Sequence, residues 1–355
     1  MSRGTIAVVS DSGGYGGAEL YLATVVEHLR ERWRFAALIG DQADAETHGR
    51  LEEAGADVLV VRGLRRKSDP TAVLRTVWAL KDVDPALVHV NLTDQGDGLG
   101  AMAAARLARR RLVATLHLFI PGRASWRDQV SSVALRLPRS VMCVASSVAE
   151  DVTRAGGRAT VVLNGIAPPV FAPTPRAALG LAETDFVVGG LGRLDPQKGW
   201  DLLCRVAGRV REEVPDAVFV VLGDGPERGR LEGIRECANV RFLGYRERAS
   251  SLLKAFDVLV MPSRYEAFPF VAIEAMHAGV PIVATEVGGL AEALDGCGVL
   301  VPPERDDLLA EALIGLASDP QARGLHSERG IARARTLFSV DRMIAETERV
   351  YETLA

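Results

Sequence analysis

From residue 5 onward the chain alternates two hydrophobic patterns. Short runs rich in β-branched residues (TIAVVS, FAALIG, DVLVV, LVHV, RLVATLH and SVMCVAS) read as buried strands. Between them lie segments such as AELYLATVVEHLRER, whose apolar residues recur at helical spacing. Strands apolar on both faces, separated by helices, predict a doubly wound parallel sheet. The pattern breaks at LNGIAPPVFAPTPRAALG. Four prolines between Pro168 and Pro175 cannot sit inside a helix or a central strand, so this stretch predicts a linker. The alternation then resumes with DFVVGGLGRL, AVFVVLGDG, VRFLG, DVLVMPS, PIVATE and GVLV, again with helices between. Two α/β units joined by a proline-rich hinge imply a cleft, with ligands bound beyond the carboxyl ends of the strands.

A length of 355 residues exceeds what one core usually serves and agrees with two domains. With 48% hydrophobic and 25% charged residues the composition is that of a soluble globular protein. The net charge of -4 gives no reason to expect nucleic acid as a partner. The balance is uneven: residues 1–170 carry 21 Lys and Arg against 18 Asp and Glu, and the remainder is net acidic. Cys143, Cys204, Cys237 and Cys297 are widely spaced without a C-x-x-C pair. That spacing speaks against a zinc site and a disulfide framework, and predicts a cytoplasmic protein. The N-terminal apolar run is too brief for a signal-peptide core, and no stretch approaches the roughly 20 apolar residues of a membrane span.

Three segments carry candidate chemistry. In SDSGGYGGAEL the glycines let a backbone approach a phosphate closely, and the following helix start offers free N–H groups. The dinucleotide fingerprint G-x-G-x-x-G does not fit, because counting from Gly14 its last position is Glu19. Read alone, the segment is equally well a tight strand-to-helix turn. In LGRLDPQKGWDLL, Arg193 follows a strand and Lys198 precedes a helix, two cations suited to a diphosphate. Ordinary loop charges are the competing reading. In RYEAFPFVAIEAM, Pro269 suits the first helical position, which leaves Glu266 in a loop and puts Glu274 about one and a half turns into the helix. The N–H groups of Phe270 and Val271 would then be free donors, with a carboxylate on each side of whatever docks there. A general acid–base pair is the alternative, and an eight-residue spacing alone leaves both open.

Taken in order, GGAELYLATVVEHL, TLH, VLNGI, GRLDPQKGWDLL, VLGDGPERGRLE, VRFLGY, VLVMPSRYEAFPFVAIEAMHAGVPIVAT and VGGLAEAL resemble retaining glycosyltransferases of family 4. That family has the GT-B fold, two Rossmann-like doubly wound domains facing a cleft. The resemblance runs over nearly the whole chain, including the tail FSVDRMIAETERVYETL. It implies an acceptor-binding domain over residues 1–167, a nucleotide-sugar domain over 168–337, and a C-terminal helix over 338–355 that packs back on the first domain. Carried over by position, Arg193 and Lys198 would hold the donor diphosphate, with backbone at Gly16, Gly17, Phe270 and Val271. Glu274 would bind ribose, Glu266 would contact the transferred sugar, and Tyr245 and Arg246 would border the base. Phe268 completes the implied donor set. His117 matches a histidine placed beside the donor sugar, although a strand-end histidine is more often structural. The implied catalytic residues are therefore His117, Glu266, Arg193 and Lys198.

The resemblance also implies transfer of a hexosyl or N-acetylhexosaminyl group, expected from a UDP-linked donor, to a hydroxyl with retention of configuration. No metal and no cofactor beyond the donor substrate is expected; Asp82-Val83-Asp84 has D-x-D spacing but reads as a helix-to-strand turn before Pro85. Ala267, Leu118 and Ala167 depart from the family's usual glycine, acidic residue and aspartate. The loops NLTDQGDG and FIPGRASWRDQ bring Asn91, Asp94, Asp97 and Asp128 forward as acceptor contacts, suited to a small soluble acceptor such as an aminocyclitol or a sugar-containing metabolite. A lipid-linked acceptor of polysaccharide or glycolipid synthesis is the alternative, and a GT-B sugar-nucleotide epimerase is the alternative class. The basic clusters VRGLRRKSDP and ARLARRRL allow at most peripheral membrane contact, with a solvated helix end the plainer reading of Arg109, Arg110 and Arg111.

Overall fold

The computed structural model describes residues 3–14, 16–64, 69–120, 133–173 and 175–355. The chain divides into two compact units: Met1–Asn164 with Val340–Ala355, and Gly165–Ser339. Unit 1 is built on the strands β1 (Thr5–Ser10), β2 (Arg34–Gly40), β3 (Asp57–Val61), β4 (Leu87–Leu92), β5 (Leu112–Leu116), β6 (Ser140–Cys143) and β7 (Ala159–Val161). They pair in parallel in the order β3-β2-β1-β4-β5-β6-β7. Unit 2 contains β8 (Phe186–Leu191), β9 (Ala217–Leu222), β10 (Val240–Phe242), β11 (Val258–Met261), β12 (Ile282–Thr285) and β13 (Val299–Val301). Their order is β10-β9-β8-β11-β12-β13, also parallel.

Both sheets reverse strand order at one point, between β1 and β4 in unit 1 and between β8 and β11 in unit 2. A sheet of this kind opens a crevice at that point, beyond the carboxyl ends of its strands. The expected chemical residues fall there. Asn91 is on β4 and Arg193 follows β8, while Glu266 follows β11. The central strands are buried on both faces: Ile6, Val8, Val188, Phe219, Val258 and Val260 have no exposed surface. Burying each such side chain contributes about 1.5–3 kcal/mol relative to exposure.

The helix Val340–Leu354 belongs to unit 1. Its Met343, Thr347 and Tyr351 are fully buried. The Tyr351 hydroxyl lies 2.6 Å from His89 Nδ1, and Thr347 Oγ1 lies 3.2 Å from the Tyr21 hydroxyl. A continuous polar chain therefore ties the last helix to β4 and to the first helix, with the apolar face closing around it. No described helix is long and apolar enough to cross a membrane.

Four details differ from the sequence expectations. Strand β7 has no counterpart among the expected strands; it is three residues long and only partly buried. The helix expected between β10 and β11 is the 3₁₀ turn Ala249–Ala255. Pro269 is the N-cap, in extended conformation, and the helix begins at Phe270. Cys204 and Cys237 form a disulfide although their spacing spoke against one. Cys204 is on the helix Trp200–Glu213 and Cys237 on the 3₁₀ turn Arg235–Asn239; these elements pack together, so a separation of 33 positions in sequence does not keep them apart in space. Cys143 and Cys297 are free and buried, and burial pushes the Cys143 thiol up to about 12. Asp84 closes the helix Pro70–Val83 in left-handed conformation and pairs with Arg110, as a helix-to-strand turn.

Candidate functional site

In unit 2 the loop after β8 is shaped by Asp195, which is 8% exposed. Its carboxylate accepts from the Lys198 N–H at 3.3 Å and from Arg193 Nε at 2.8 Å, so one side chain sets the positions of both expected cations. The next residue, Gly199, is left-handed at φ 66°, and a Cβ there would stand 2.0 Å from the Pro262 carbonyl oxygen. Only glycine lets this loop come against the segment after β11.

That segment is fastened to the loop by several bonds. Arg264 donates its N–H to Gln197 O at 2.8 Å and its guanidinium to Pro196 O at 2.8 Å. Gln197 Nε2 donates to Tyr265 O at 3.0 Å. Arg264 also grips Asp201 through two bonds of 2.9 and 2.8 Å. Its guanidinium holds the Asp201 carboxyl down at about 2.

The result of this fastening is that Lys198 Nζ lies 2.5 Å from Glu266 Oε1. Ser263 Oγ donates to the same oxygen at 2.8 Å. Glu266 is 7% exposed, and its Oε2 makes no hydrogen bond among the described residues. On its far side Gly288, at φ 49°, would place a Cβ 1.8 Å from the Glu266 carbonyl oxygen. The main chain after β11 is thus approached at Pro262 and at Glu266 by backbone that tolerates no side chain.

The helix Phe270–Ala278 starts three residues beyond Ala267, and no side chain caps it. Ala272 N–H is bonded to Pro269 O, but the N–H groups of Phe270 and Val271 have no partner among the described residues. They form an open donor pair at the positive end of a helix. Glu274 is the fifth helical residue; burial raises its carboxyl, partly opposed by a hydrogen bond from Ser250. Ser250 follows Ala249, which lines a cavity of about 410 Å³ together with Gly192, Arg193, Gly223, Tyr245 and Arg246. The Tyr245 side chain is exposed there, available to lie against a planar ring. Arg193, Tyr245 and Arg246 thus share one cavity, and Lys198 and Glu266 form a pair of their own. Phe268 is different. It is 4% exposed and packs edge-on against Phe338 at 5.0 Å, so its side chain is part of the core.

In unit 1, His117 follows β5 and is 9% exposed. Its Nε2 is 2.8 Å from Asn91 Oδ1. Asn91 Nδ2 donates to Ala18 O at 3.0 Å, which fixes Oδ1 as the end facing the imidazole. His117 Nε2 therefore carries the proton, and Nδ1 is left with a lone pair. Burial, with His89 nearby, lowers His117 to about 3, so the ring is neutral. Asn91, expected as an acceptor contact, has both ends of its amide engaged and is 1% exposed.

Gly16 caps the helix Gly17–Leu29, and both glycines are exposed. Glu19, in the third helical position, folds back onto the Gly16 N–H and Ser12, and burial raises its carboxyl. This is one half of a capping box, since Gly16 has no side chain to return the bond, and a carboxylate already uses part of the donor capacity expected there. Asp94 shapes its own turn by accepting from Gly96 N–H at 2.6 Å. Asp128 lies outside the described residues. No group of three or more His, Cys, Asp or Glu side chains gathers as a metal site among the described residues.

The sequence reading missed Asp195, Ser263, Gly199, Gly288 and Glu19. Gly288 and Ser263 have no local signal, since their role depends on contacts across loops. Glu19 was legible in principle from its place three residues after the N-cap.

The family model described as "Glycosyl transferases group 1" matches residues 185–319, and that described as "Glycosyltransferase Family 4" matches residues 15–168. A D-inositol 3-phosphate glycosyltransferase of Kribbella flavida is 32% identical over 236 residues, 61% of this chain and 56% of that protein. A 2-deoxystreptamine N-acetyl-D-glucosaminyltransferase of Streptomyces fradiae is 33% identical over 67% of this chain and 62% of its own length. The match thus spans less than two thirds of these relatives. The crystal structure of Anabaena Alr3699/HepE in complex with UDP and glucose superposes with a TM-score of 0.86 at 26% identity, covering 99% of this chain and 100% of that one. With two parallel-sheet Rossmann-like units and both family models matched in order, the chain belongs to the group 1 glycosyltransferases and has the GT-B fold.

Proposed function

We propose that the chain is a retaining hexosyltransferase that takes a hexosyl or N-acetylhexosaminyl group from a UDP-linked donor and passes it to a hydroxyl of a small soluble acceptor. One observation carries this reading. Unit 2 gathers Arg193, the Lys198–Glu266 pair and the open N–H groups of Phe270 and Val271, with a cavity bordered by Tyr245 and Arg246. Cations and a helix start suit a diphosphate, and the cavity suits a base. Glu274 suits ribose hydroxyls and the free oxygen of Glu266 suits a sugar hydroxyl. UDP is favoured because the Anabaena protein, alike over nearly its whole length, binds UDP and glucose.

In the transfer, the bond between the anomeric carbon and the diphosphate oxygen breaks, and its electron pair leaves with the diphosphate. Arg193, Lys198 and the two N–H groups stabilise the charge that develops there. The acceptor oxygen bonds to the anomeric carbon from the same face, and its proton passes to the departing phosphate oxygen. No carboxylate serves as nucleophile, unlike the paired carboxylates of retaining glycoside hydrolases. Neutral His117 offers its Nδ1 lone pair to a hydroxyl, and Asn91 acts through it as a positioning residue. The charge stabilisation needs no metal, so chelation with EDTA leaves the rate unchanged. A cyclitol acceptor is favoured by the names of the Kribbella and Streptomyces relatives, whose acceptors are an inositol phosphate and an aminocyclitol.

The test is to incubate the chain with UDP-glucose or UDP-N-acetylglucosamine and a panel of inositol, inositol phosphate and 2-deoxystreptamine. The product is read by mass spectrometry and its anomeric linkage by NMR. A glycoside with the donor's configuration is expected. Conversion of the donor without an acceptor, or transfer only to lipid-linked acceptors in vesicles, would overturn the reading.

A further inference from the structure

Five arginines converge at the end of unit 1's sheet opposite its candidate residues. Arg106, Arg109, Arg110, Arg111 and Arg139 line a cavity of about 270 Å³, with Leu112 and Leu137 completing its wall. Arg111 immediately precedes β5 and Arg139 immediately precedes β6, so the cavity sits at the amino ends of parallel strands. His117 lies beyond the carboxyl end of β5, about 20 Å away at strand spacing.

Two of the five arginines are engaged. Arg110 pairs with Asp84, and Arg111 donates to the carbonyl oxygens of Leu354, at 3.2 Å, and Ala355. The side chains of Arg106, Arg109 and Arg139 make no hydrogen bond or ion pair among the described residues. Arg106, Arg109 and Arg139 are exposed, and three guanidinium groups without a protein partner around one concavity favour an anion between them.

The backbone adds an independent observation. The helix Leu99–Leu107 ends with Arg109 in the left-handed region at φ 56°, and Arg110 N–H returns to Ala105 O at 2.9 Å. This is the position where helices ordinarily carry glycine, and a side chain there is strained. Residues other than glycine held in this region cluster at binding sites and switch regions. Arg139 also lines a second cavity, of about 470 Å³, against Val161, Val350 and Leu354.

We propose that the arginine-lined cavity at the amino ends of β5 and β6 is a binding site for a phosphate group, distinct from the candidate donor site. Guanidinium forks match phosphate oxygens bidentately, and five arginines around one cavity suit a phosphate better than a single carboxylate. The phosphate is carried either by a soluble compound or by a lipid headgroup.

The test uses the full chain carrying Arg193→Ala and Lys198→Ala, which removes the two cations proposed to hold the donor diphosphate. Inorganic pyrophosphate is titrated calorimetrically. In parallel the protein is sedimented with phosphatidylcholine vesicles with and without phosphatidic acid. Binding in either arm is expected, and which arm responds identifies the source. Adding Arg109→Gly and Arg139→Gln weakens that binding at least tenfold. Arg109→Gly relieves the left-handed strain, so its melting temperature is expected to stay level or rise, and lost binding then cannot be put down to unfolding. Absence of binding in both arms would overturn the proposal, as would binding that is unchanged by the arginine substitutions.

Discussion

Lys198 and Glu266 form a close ion pair at a spot where each is mostly shielded from water, with side-chain exposures of 19% and 6%. A diphosphate arriving there finds a cation already oriented by a carboxylate. Lys198→Ala is expected to weaken UDP binding by about 1.5–3 kcal/mol, roughly 10- to 100-fold, the usual worth of a hydrogen bond to a charged group. Calorimetry reads this directly; unchanged affinity would remove Lys198 from the site. The histidines give a second prediction. His89 and His117 are both lowered to about 3 by burial, against 6.5 when exposed. Below pH 6.5 the unfolded chain therefore binds protons that the folded chain refuses. Their contribution is complete above pH 6.5 and is lost as pH falls toward 3, by about 1.4 kcal/mol per pH unit for each. Glu19 and Glu274, raised by burial, act in the opposite sense and reduce the net slope. Urea midpoints should be lower at pH 5.5 than at pH 7.5, and NMR titration should find both imidazoles neutral at pH 5.5; imidazoles protonated there would contradict the buried neutral pair. At this scale the sequence told much about Glu266 and Glu274, because Pro269 constrains the chain between them. It told nothing of Ser263, whose contact with Glu266 depends on how the loop after β11 folds over.

At the scale of elements, two glycines hold the candidate donor loops in place. Gly288→Ala would force a Cβ into the Glu266 carbonyl at a left-handed position. It is expected to destabilise the protein by more than about 2 kcal/mol and to impair UDP binding together with stability. Gly296 is the control: it is also left-handed, at φ 70°, but nothing lies within 4 Å of an added Cβ. Gly296→Ala should cost only about 1–2 kcal/mol, the left-handed penalty alone, and leave UDP binding intact. Equal effects in thermal unfolding would show that the close approach to Glu266 does not matter. The strands of both sheets were legible because each is a short run apolar on both faces, bounded by turns. Strand β7 was not, since two of its three residues are exposed. The start of the helix Phe270–Ala278 was misjudged by one position, because proline's fixed φ serves the N-cap as well as the first helical residue.

Across the whole molecule, each unit has its own sheet and its own switch point, and the last helix returns to unit 1. That return is held by polar contacts that cannot be met by water. Tyr351→Phe would leave His89 Nδ1 unpaired inside the unit and is expected to cost about 1–3 kcal/mol of stability. Removal of residues 340–355 should unfold unit 1, seen as loss of its cooperative melting transition; an unaltered transition would mean that the helix is an accessory. The two-unit arrangement was readable from the proline-rich break, and the pairing of Cys204 with Cys237 was not, because it is made by packing between elements. Unit 2 is proposed to hold a nucleoside diphosphate through Arg193, Lys198 and the start of the helix Phe270–Ala278. The most direct test is a thermal-shift panel of UDP, GDP, ADP, dTDP and NAD(P) on the unaltered chain and on Lys198→Ala. UDP should stabilise the unaltered chain, by about 2.7 kcal/mol at one hundred times its Kd, and the variant far less at the same concentration. Stabilisation by NAD(P) alone, or by no nucleoside diphosphate, would contradict it.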